Sequence, residues 1–158
     1  MTYFRRSSNW YEGFRLVELD ERNEKFTKVK EKVAGALKIS KVYDIHNSTT
    51  YAAYVATRDR IRRESGTFDR VSERYLFHGS PYAKEIAEKG FHNQRTFFSD
   101  KASYSDSYAR KNGSRGTLYM LVCKVVLGRN TDHGHSGDEF HINDATQAFP
   151  SFLIEYDP

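Results

Sequence analysis

The first part of the chain alternates between apolar and charged residues at two different periods. From Asp20 to Leu37, apolar residues recur every three or four positions, which predicts a surface amphipathic helix that ends at Gly35 or soon after. From Lys41 to Asn47 the alternation is every second residue, which predicts a strand. Ser48 is then the expected N-cap of a second helix. The inner face of that helix is predicted to carry Tyr51, Tyr54, Val55 and Ile61.

The rest of the chain is dominated by short apolar stretches. A polar loop is predicted at 62–67, before a strand at Tyr75–Phe77. The later predicted elements are helices at Tyr82–Lys89 and Lys101–Ala109, a long β-branched strand within 116–128, a loop at 129–137, and strands at Asp138–Asn143 and Phe149–Tyr156. Many short strands with few helices predict an α+β domain built on an antiparallel sheet.

Composition narrows the class of protein. The 158 residues suit one domain, and 15% aromatic residues supply a bulky core. The single cysteine, Cys123, lies in an apolar run, so we expect it to be buried; a disulfide framework and a cysteine-based zinc site are excluded. No apolar stretch reaches membrane-spanning length, and Met1–Arg6 lacks the apolar segment of a signal peptide. We expect an intracellular protein, cytoplasmic or nuclear, with no membrane partner.

The charge pattern permits a nucleic-acid partner without indicating one. The net charge is +4, but the charges are scattered as mixed pairs and form no basic block. His133 and His135 in the predicted loop could suggest a metal, but they have no partners at ligand spacing. We therefore predict no metal site.

The strongest candidate chemistry lies at Phe77-His78-Gly79-Ser80. A ligand can approach the bare backbone of Gly79, where one N–H and one C=O could bind a carboxamide, while His78 holds a hydroxyl beside it. The alternative is a histidine satisfied within the fold and followed by an ordinary turn.

A second candidate lies in the predicted helix Lys101–Ala109. Ser105 and Tyr108 fall on one face at positions i and i+3, and a hydroxyl beside an aromatic ring suits a flat polar ligand. The alternative is that Tyr104 and Tyr108 form the core face of this helix.

Three motifs in register resemble the catalytic domain of poly(ADP-ribose) polymerases, which are diphtheria-toxin-like ADP-ribosyltransferases. The motifs are Phe77-His78-Gly79-Ser80; Phe97-Phe98-Ser99-Asp100 followed by Ser103 to Ala109; and Glu139 to Asp144 followed by Gln147 to Ile154. The resemblance covers roughly Val42 to Tyr156. It implies an ADP-ribosyltransferase-like fold, with a split antiparallel sheet and flanking helices, in a single domain (1–158). Residues 1–40 would be an N-terminal extension with an amphipathic helix, and 41–158 the core.

The resemblance also implies roles for individual residues. His78 would hold ribose hydroxyls of NAD, and Ser80 would lie beside it in the NAD site. The backbone of Gly79 and the hydroxyl of Ser105 would bind the nicotinamide carboxamide, and Tyr108 would stack on the nicotinamide ring. The catalytic residues would be Glu139 and His78.

Two departures from the family pattern stand out. The resemblance puts Phe97 at the position of the triad tyrosine and thus implies a His-Phe-Glu triad. The missing hydroxyl would remove a hydrogen bond worth about 1 kcal/mol while the aromatic wall is kept. The donor loop is shortened to His92–Thr96, which leaves Arg95 as the candidate adenosine contact.

The resulting functional prediction is an NAD-dependent ADP-ribosyltransferase. NAD would be the co-substrate, the acceptor a protein side chain, in this protein or another, and the product mono- or short-chain. Glu139 would stabilise the positive charge that develops on the ribose as the nicotinamide bond breaks. Two alternatives remain: a catalytically silent NAD- or ADP-ribose-binding module, and a transferase acting on nucleic-acid ends or an RNA 2′-phosphate.

Overall fold

A computed structural model of the chain describes residues 13–65, 72–92, 95–110, 116–128, 132–133 and 138–158. Within these ranges the helices are α1 (Glu24–Val33), α2 (Ser48–Ser65), α3 (Ala83–Lys89) and α4 (Ala102–Ala109). The strands are β1 (Phe14–Glu18), β2 (Lys38–Asn47), β3 (Ser72–Gly79), β4 (Thr96–Ser99), β5 (Leu118–Leu127), β6 (Asp132–His133), β7 (Glu139–Ile142) and β8 (Ala148–Asp157). The predicted α+β class is confirmed. No helix of the described ranges is long and apolar enough to cross a membrane.

All neighbouring strands pair antiparallel, in the order β1-β2-β8-β5-β3-β4-β7-β6. The register between β3 and β4 contains one residue pair, Phe77 opposite Ser99. This narrow junction divides the sheet into a five-stranded part and a three-stranded part. The ends of β3 and β4 and the start of β7 therefore meet at the junction, although they are far apart in sequence.

The central strand β5 is buried on both faces, as its unbroken apolar run predicts. Met120 and Val122 belong to the cluster that includes residues of α1 and α4, whereas Leu121 and Cys123 belong to the cluster that includes residues of α3. The sheet thus lies between helices on its two faces. Cys123 is fully buried, as predicted.

Helix α1 is shorter than the predicted span Asp20–Leu37. The side chain of Asn23 caps its start by accepting a hydrogen bond from the Lys25 backbone N–H at 2.8 Å. Ala34 and Gly35, with φ of 55° and 80°, end it in the left-handed region. Three of the apolar residues that recur at helical spacing, Phe26, Val29 and Val33, are buried within the helix, and Leu37 is buried beyond its end.

Helix α2 differs from the prediction at both ends. Asn47, and not Ser48, is its cap: the Asn47 side-chain oxygen accepts from the Thr50 backbone N–H at 3.2 Å. The helix continues through Ser65 where a loop was predicted, because Arg62 bonds to Glu73 of β3 at 2.9 Å and holds the last turn against the sheet.

The inner face of α2 was predicted correctly for Tyr54 and wrongly for Tyr51. Tyr54 is fully buried, whereas 43% of the Tyr51 surface is exposed. The Tyr51 ring instead packs against the Phe149 ring in an edge-type contact, with the two ring centroids 5.0 Å apart.

Residues 14–40 are part of the same sheet and core. β1 pairs with β2, α1 contributes to a main buried cluster, and β2 begins at Lys38, three residues before the predicted strand. In the predicted loop 129–137, Asp132 and His133 form the short strand β6 beside β7. His135 lies outside the described residues.

Candidate active site

A narrow cleft of about 40 Å³ lies where β3, β4 and α4 meet. Seven residues from these three elements line it: His78, Gly79, Phe97, Phe98, Tyr104, Ser105 and Tyr108. The cleft therefore brings together the first two predicted motifs.

Gly79 is where helix α4 touches strand β3. A Cβ atom at this position would lie 1.9 Å from the backbone oxygen of Ser105, so no larger residue fits without moving the helix. The buried hydroxyl of Ser105 donates to the Phe77 carbonyl at 3.3 Å and fastens the same contact. The close packing of α4 on β3 therefore requires a glycine at position 79. The sequence did not reveal this requirement, which is separate from the predicted approach of a ligand.

Helix α4 turns a partly open aromatic face toward the cleft. Its buried residues are Ala102, Ser105 and Ala109, whereas 43% of the Tyr108 surface is exposed. The alternative in which Tyr104 and Tyr108 form the core face is therefore wrong. The helix is also held from β8, because the Tyr156 hydroxyl donates to Asp106 at 2.6 Å.

The contacts of His78 assign its proton. Its Nδ1 lies 2.7 Å from the Phe97 carbonyl oxygen, which can only accept, so Nδ1 carries the hydrogen and Nε2 is left as an acceptor. Burial lowers the pKa of His78, against an opposing effect of this bond to Phe97. The ring is neutral at pH 7, and Nε2 can accept a hydroxyl hydrogen.

Phe97 connects the cleft to β7. Its carbonyl orients His78, and its ring, 42% exposed as a residue, meets the His141 ring edge-on with centroids 4.4 Å apart. The side chain therefore forms an aromatic wall between the cleft and the third predicted motif.

Glu139 stands beside this wall and is hydrogen-bonded through both carboxylate oxygens. Tyr104 donates to Oε2, and Oε1 bonds to Nε2 of His141. These two bonds, Tyr104 first, hold the pKa of Glu139 below its ordinary value, and the Arg95 charge adds to the effect. Glu139 is therefore ionised at neutral pH. Glu139 is connected to the cleft by its bond to Tyr104, one of the residues that line the cleft.

Two predicted site residues lie elsewhere. The Ser80 hydroxyl accepts from the Tyr82 backbone N–H at 3.0 Å and shapes the turn into α3, outside the residues that line the cleft. Arg95 bonds to Nδ1 of His141, outside the residues that line the cleft, and its role as an adenosine contact stays a prediction. In the predicted donor loop, residues 93–94 lie outside the described ranges.

Sequence reasoning missed the two partners of Glu139. His141 follows Glu139 by two residues on β7 and thus shares its face of the sheet. Tyr104 precedes Tyr108 by one helical turn, and their ring centroids are 5.9 Å apart. Both spacings were visible in the sequence, but neither indicates a bond to a carboxylate until the strand and the helix are brought together.

Two larger clefts lie away from these motifs. One, of about 320 Å³, lies between α2 and the turn before β8, and the other, of about 390 Å³, lies beside α1. Neither contains a residue of the three predicted motifs except Asn143, Asp144 and Gln147, which line the first of the two clefts. Asp144 and Gln147 form the capping box of a short 3-10 turn. The described residues contain no group of three or more histidine, cysteine or acidic side chains that could hold a metal ion.

No known protein-family model matches the chain.

Proposed function

We propose that the protein is an NAD-dependent ADP-ribosyltransferase with an ADP-ribosyltransferase-like fold. The observation that supports this most is the convergence of three distant segments at one junction. His78 and Gly79 end β3, Ser105 and Tyr108 lie on α4, and Glu139 begins β7 and reaches the cleft through its bond to Tyr104.

The cleft offers complementary groups for nicotinamide and its ribose. Tyr108 supplies an exposed aromatic ring for stacking, and Ser105 keeps oxygen lone pairs that can accept from a carboxamide N–H. Nε2 of His78 is an acceptor suited to a ribose hydroxyl. A flat ligand with a carboxamide and an attached sugar therefore matches the groups present.

The charge of Glu139 suits the chemistry of transfer. When the ribose C1–nicotinamide bond breaks, its electron pair goes to the ring nitrogen and neutral nicotinamide leaves. Positive charge then develops on the ribose, and a nearby carboxylate stabilises that charge while an acceptor oxygen forms the new bond to C1. An ionised Glu139 beside the cleft has the required charge at neutral pH.

A silent NAD-binding module is the second candidate. It is favoured by Phe97, which lacks the hydroxyl of the triad tyrosine, and by the shortened donor loop. A module that binds NAD without cleaving it would keep the aromatic and carboxamide contacts and release no nicotinamide.

The proposal is tested first by binding. Nicotinamide and NAD should raise the melting temperature of the protein, whereas nicotinic acid, which replaces the carboxamide by a carboxylate, should not. Tyr108→Ala should lose the nicotinamide effect, and Tyr82→Phe, at an exposed tyrosine outside the cleft, should keep it. No shift at millimolar nicotinamide and NAD with folded protein would refute the assignment of the cleft. Release of nicotinamide from bound NAD then separates the enzyme from the silent module.

A further inference from the structure

Glu139 lies at the centre of a chain of side chains that crosses from α4 to β4. Tyr104 of α4 donates to one carboxylate oxygen, and His141 of β7 bonds to the other. Arg95, which immediately precedes β4, bonds to the opposite nitrogen of the His141 ring. Three segments of the chain thus contribute one group each around a single carboxylate.

The bond from Arg95 determines which nitrogen of the His141 ring carries the hydrogen that faces Glu139. A guanidinium has only donors, so Nδ1 of His141 must accept from it. Nε2 then carries the ring hydrogen and donates it to Glu139. Both nitrogen atoms of the ring are therefore engaged, one with Arg95 and the other with Glu139.

Packing restricts the same ring. The side chain of His141 is 12% exposed, and the Phe97 ring meets it at 87° between the two ring planes. Tyr104 is restricted as well, since its ring packs near that of Tyr108. The two donors to Glu139 are therefore held by aromatic neighbours that also border the cleft.

We propose that Tyr104 and His141 are positioning residues, which hold the Glu139 carboxylate in one orientation at the edge of the cleft, and that Arg95 fixes the His141 ring for this purpose. The proposal rests on the proposed transferase function and deepens it. An oriented carboxylate needs no reorganisation when charge develops on the ribose, which is the condition for electrostatic stabilisation of a transition state. Neither residue has to touch the substrate for this role.

Removal of either donor should lower turnover more than binding. Tyr104→Phe and His141→Phe each delete one hydrogen bond to Glu139 and keep an aromatic ring. We expect kcat for nicotinamide release to fall about tenfold in each variant, with the KM for NAD changed less than about twofold. His141→Gln restores an N–H donor and should recover part of the loss. Tyr43→Phe is the matched control, because the Tyr43 hydroxyl also donates to a glutamate, Glu155, on the distant β2–β8 pair.

A double-mutant cycle tests whether Tyr104 acts through Glu139. In the Glu139→Gln background, the Tyr104→Phe change should have almost no further effect on kcat, because the oriented carboxylate is already absent. An equal tenfold loss in both backgrounds would overturn the positioning role of Tyr104. A general structural defect would instead appear as a lower melting temperature and a raised KM.

The contacts of Glu139 can be tested in the absence of NAD, so that this test does not depend on the proposed function. The pKa of Glu139 can be measured by NMR of protein labelled in its glutamate side chains. This pKa should rise in Tyr104→Phe and in His141→Phe, and it should rise most in the double variant. The control Tyr43→Phe should leave the pKa of Glu139 unchanged. His141 acts on the pKa of Glu139 through its charge as well as through its hydrogen bond, and His141→Phe removes both effects; Arg95, whose charge also lowers this pKa, is retained in all four variants. An unchanged pKa in both single variants overturns the inference. If the pKa rises as expected but the parent releases no nicotinamide from NAD, the proposed function fails while the contacts of Glu139 stand.

Discussion

Glu139→Gln is the most informative single change at the site. It removes one full negative charge at nearly constant shape. In the structure both carboxylate oxygens accept hydrogen bonds, from Tyr104 and from His141. A glutamine amide can accept from one of these donors but presents its own N–H₂ group to the other. The variant therefore loses the charge and one hydrogen bond.

The size of the effect follows from what the charge does. Removal of one preorganised electrostatic group from an active site typically lowers turnover about a hundredfold or more, which corresponds to about 2.7 kcal/mol. The lost hydrogen bond should reduce the free energy of unfolding by about 1 kcal/mol. In the proposed reaction the charge would act mainly on the transition state, so NAD affinity should change only a few-fold.

The assay is release of nicotinamide from NAD, measured together with NAD affinity by calorimetry. The matched control is Asp138→Asn, one residue earlier, where the carboxylate pairs with the exposed Lys101 at 3.0 Å. An exposed pair contributes about 1 kcal/mol or less to stability, so this variant should keep its turnover. A Glu139→Gln protein that is as fast as the parent would refute the catalytic assignment and leave the silent binding module as the better account.

Three further predictions concern the walls of the cleft. Tyr108→Ala should weaken nicotinamide binding about tenfold, more than Phe97→Tyr changes it, because one loses ring stacking and the other gains one hydroxyl; calorimetric titration with equal effects would contradict the stacking role. Gly79→Ala should lower the free energy of unfolding, measured in urea, by about 3 kcal/mol, because the added Cβ would lie 1.9 Å from the Ser105 backbone oxygen. The control Gly116→Ala, whose Cβ would have no atom within 4 Å, should change the free energy of unfolding by less than about 0.5 kcal/mol. Burial lowers the pKa of His78 below its value in the unfolded chain, so the unfolded state binds a proton at His78 more tightly than the folded state does. The contribution of His78 to the free energy of unfolding should therefore be constant above about pH 6.5 and fall as the pH decreases toward the lowered pKa. Urea denaturation of His78→Gln at several pH values should lack this decrease.

Strand periodicity predicted much of the fold. The long apolar run that became β5 and the alternation that became β7 follow directly from side-chain period, because strands place successive residues on opposite faces. Helix ends were less predictable. α1 ends at Val33 because the next residue, Ala34, adopts a positive φ, which is rare for alanine. α2 extends to Ser65 because Arg62 bonds to Glu73 on β3. Such contacts depend on tertiary structure.

The candidate site was predictable as a set of motifs but not as a set of contacts. The sequence suggested His78, Gly79, Ser105 and Tyr108, and the structure places all four around one cleft. The sequence did not reveal the bond between His141 and Glu139, because an alternating strand does not show whether neighbouring side chains on one face are in contact.

The most direct test of the transferase account is incubation of the protein with NAD labelled in its ADP-ribose part, followed by mass spectrometry of the protein and of the small molecules. The account predicts that free nicotinamide accumulates and that labelled ADP-ribose appears on this protein, on an added acceptor protein or free in solution. It also predicts that Glu139→Gln slows all of these products together. Intact NAD after prolonged incubation with folded protein that binds it would contradict the account.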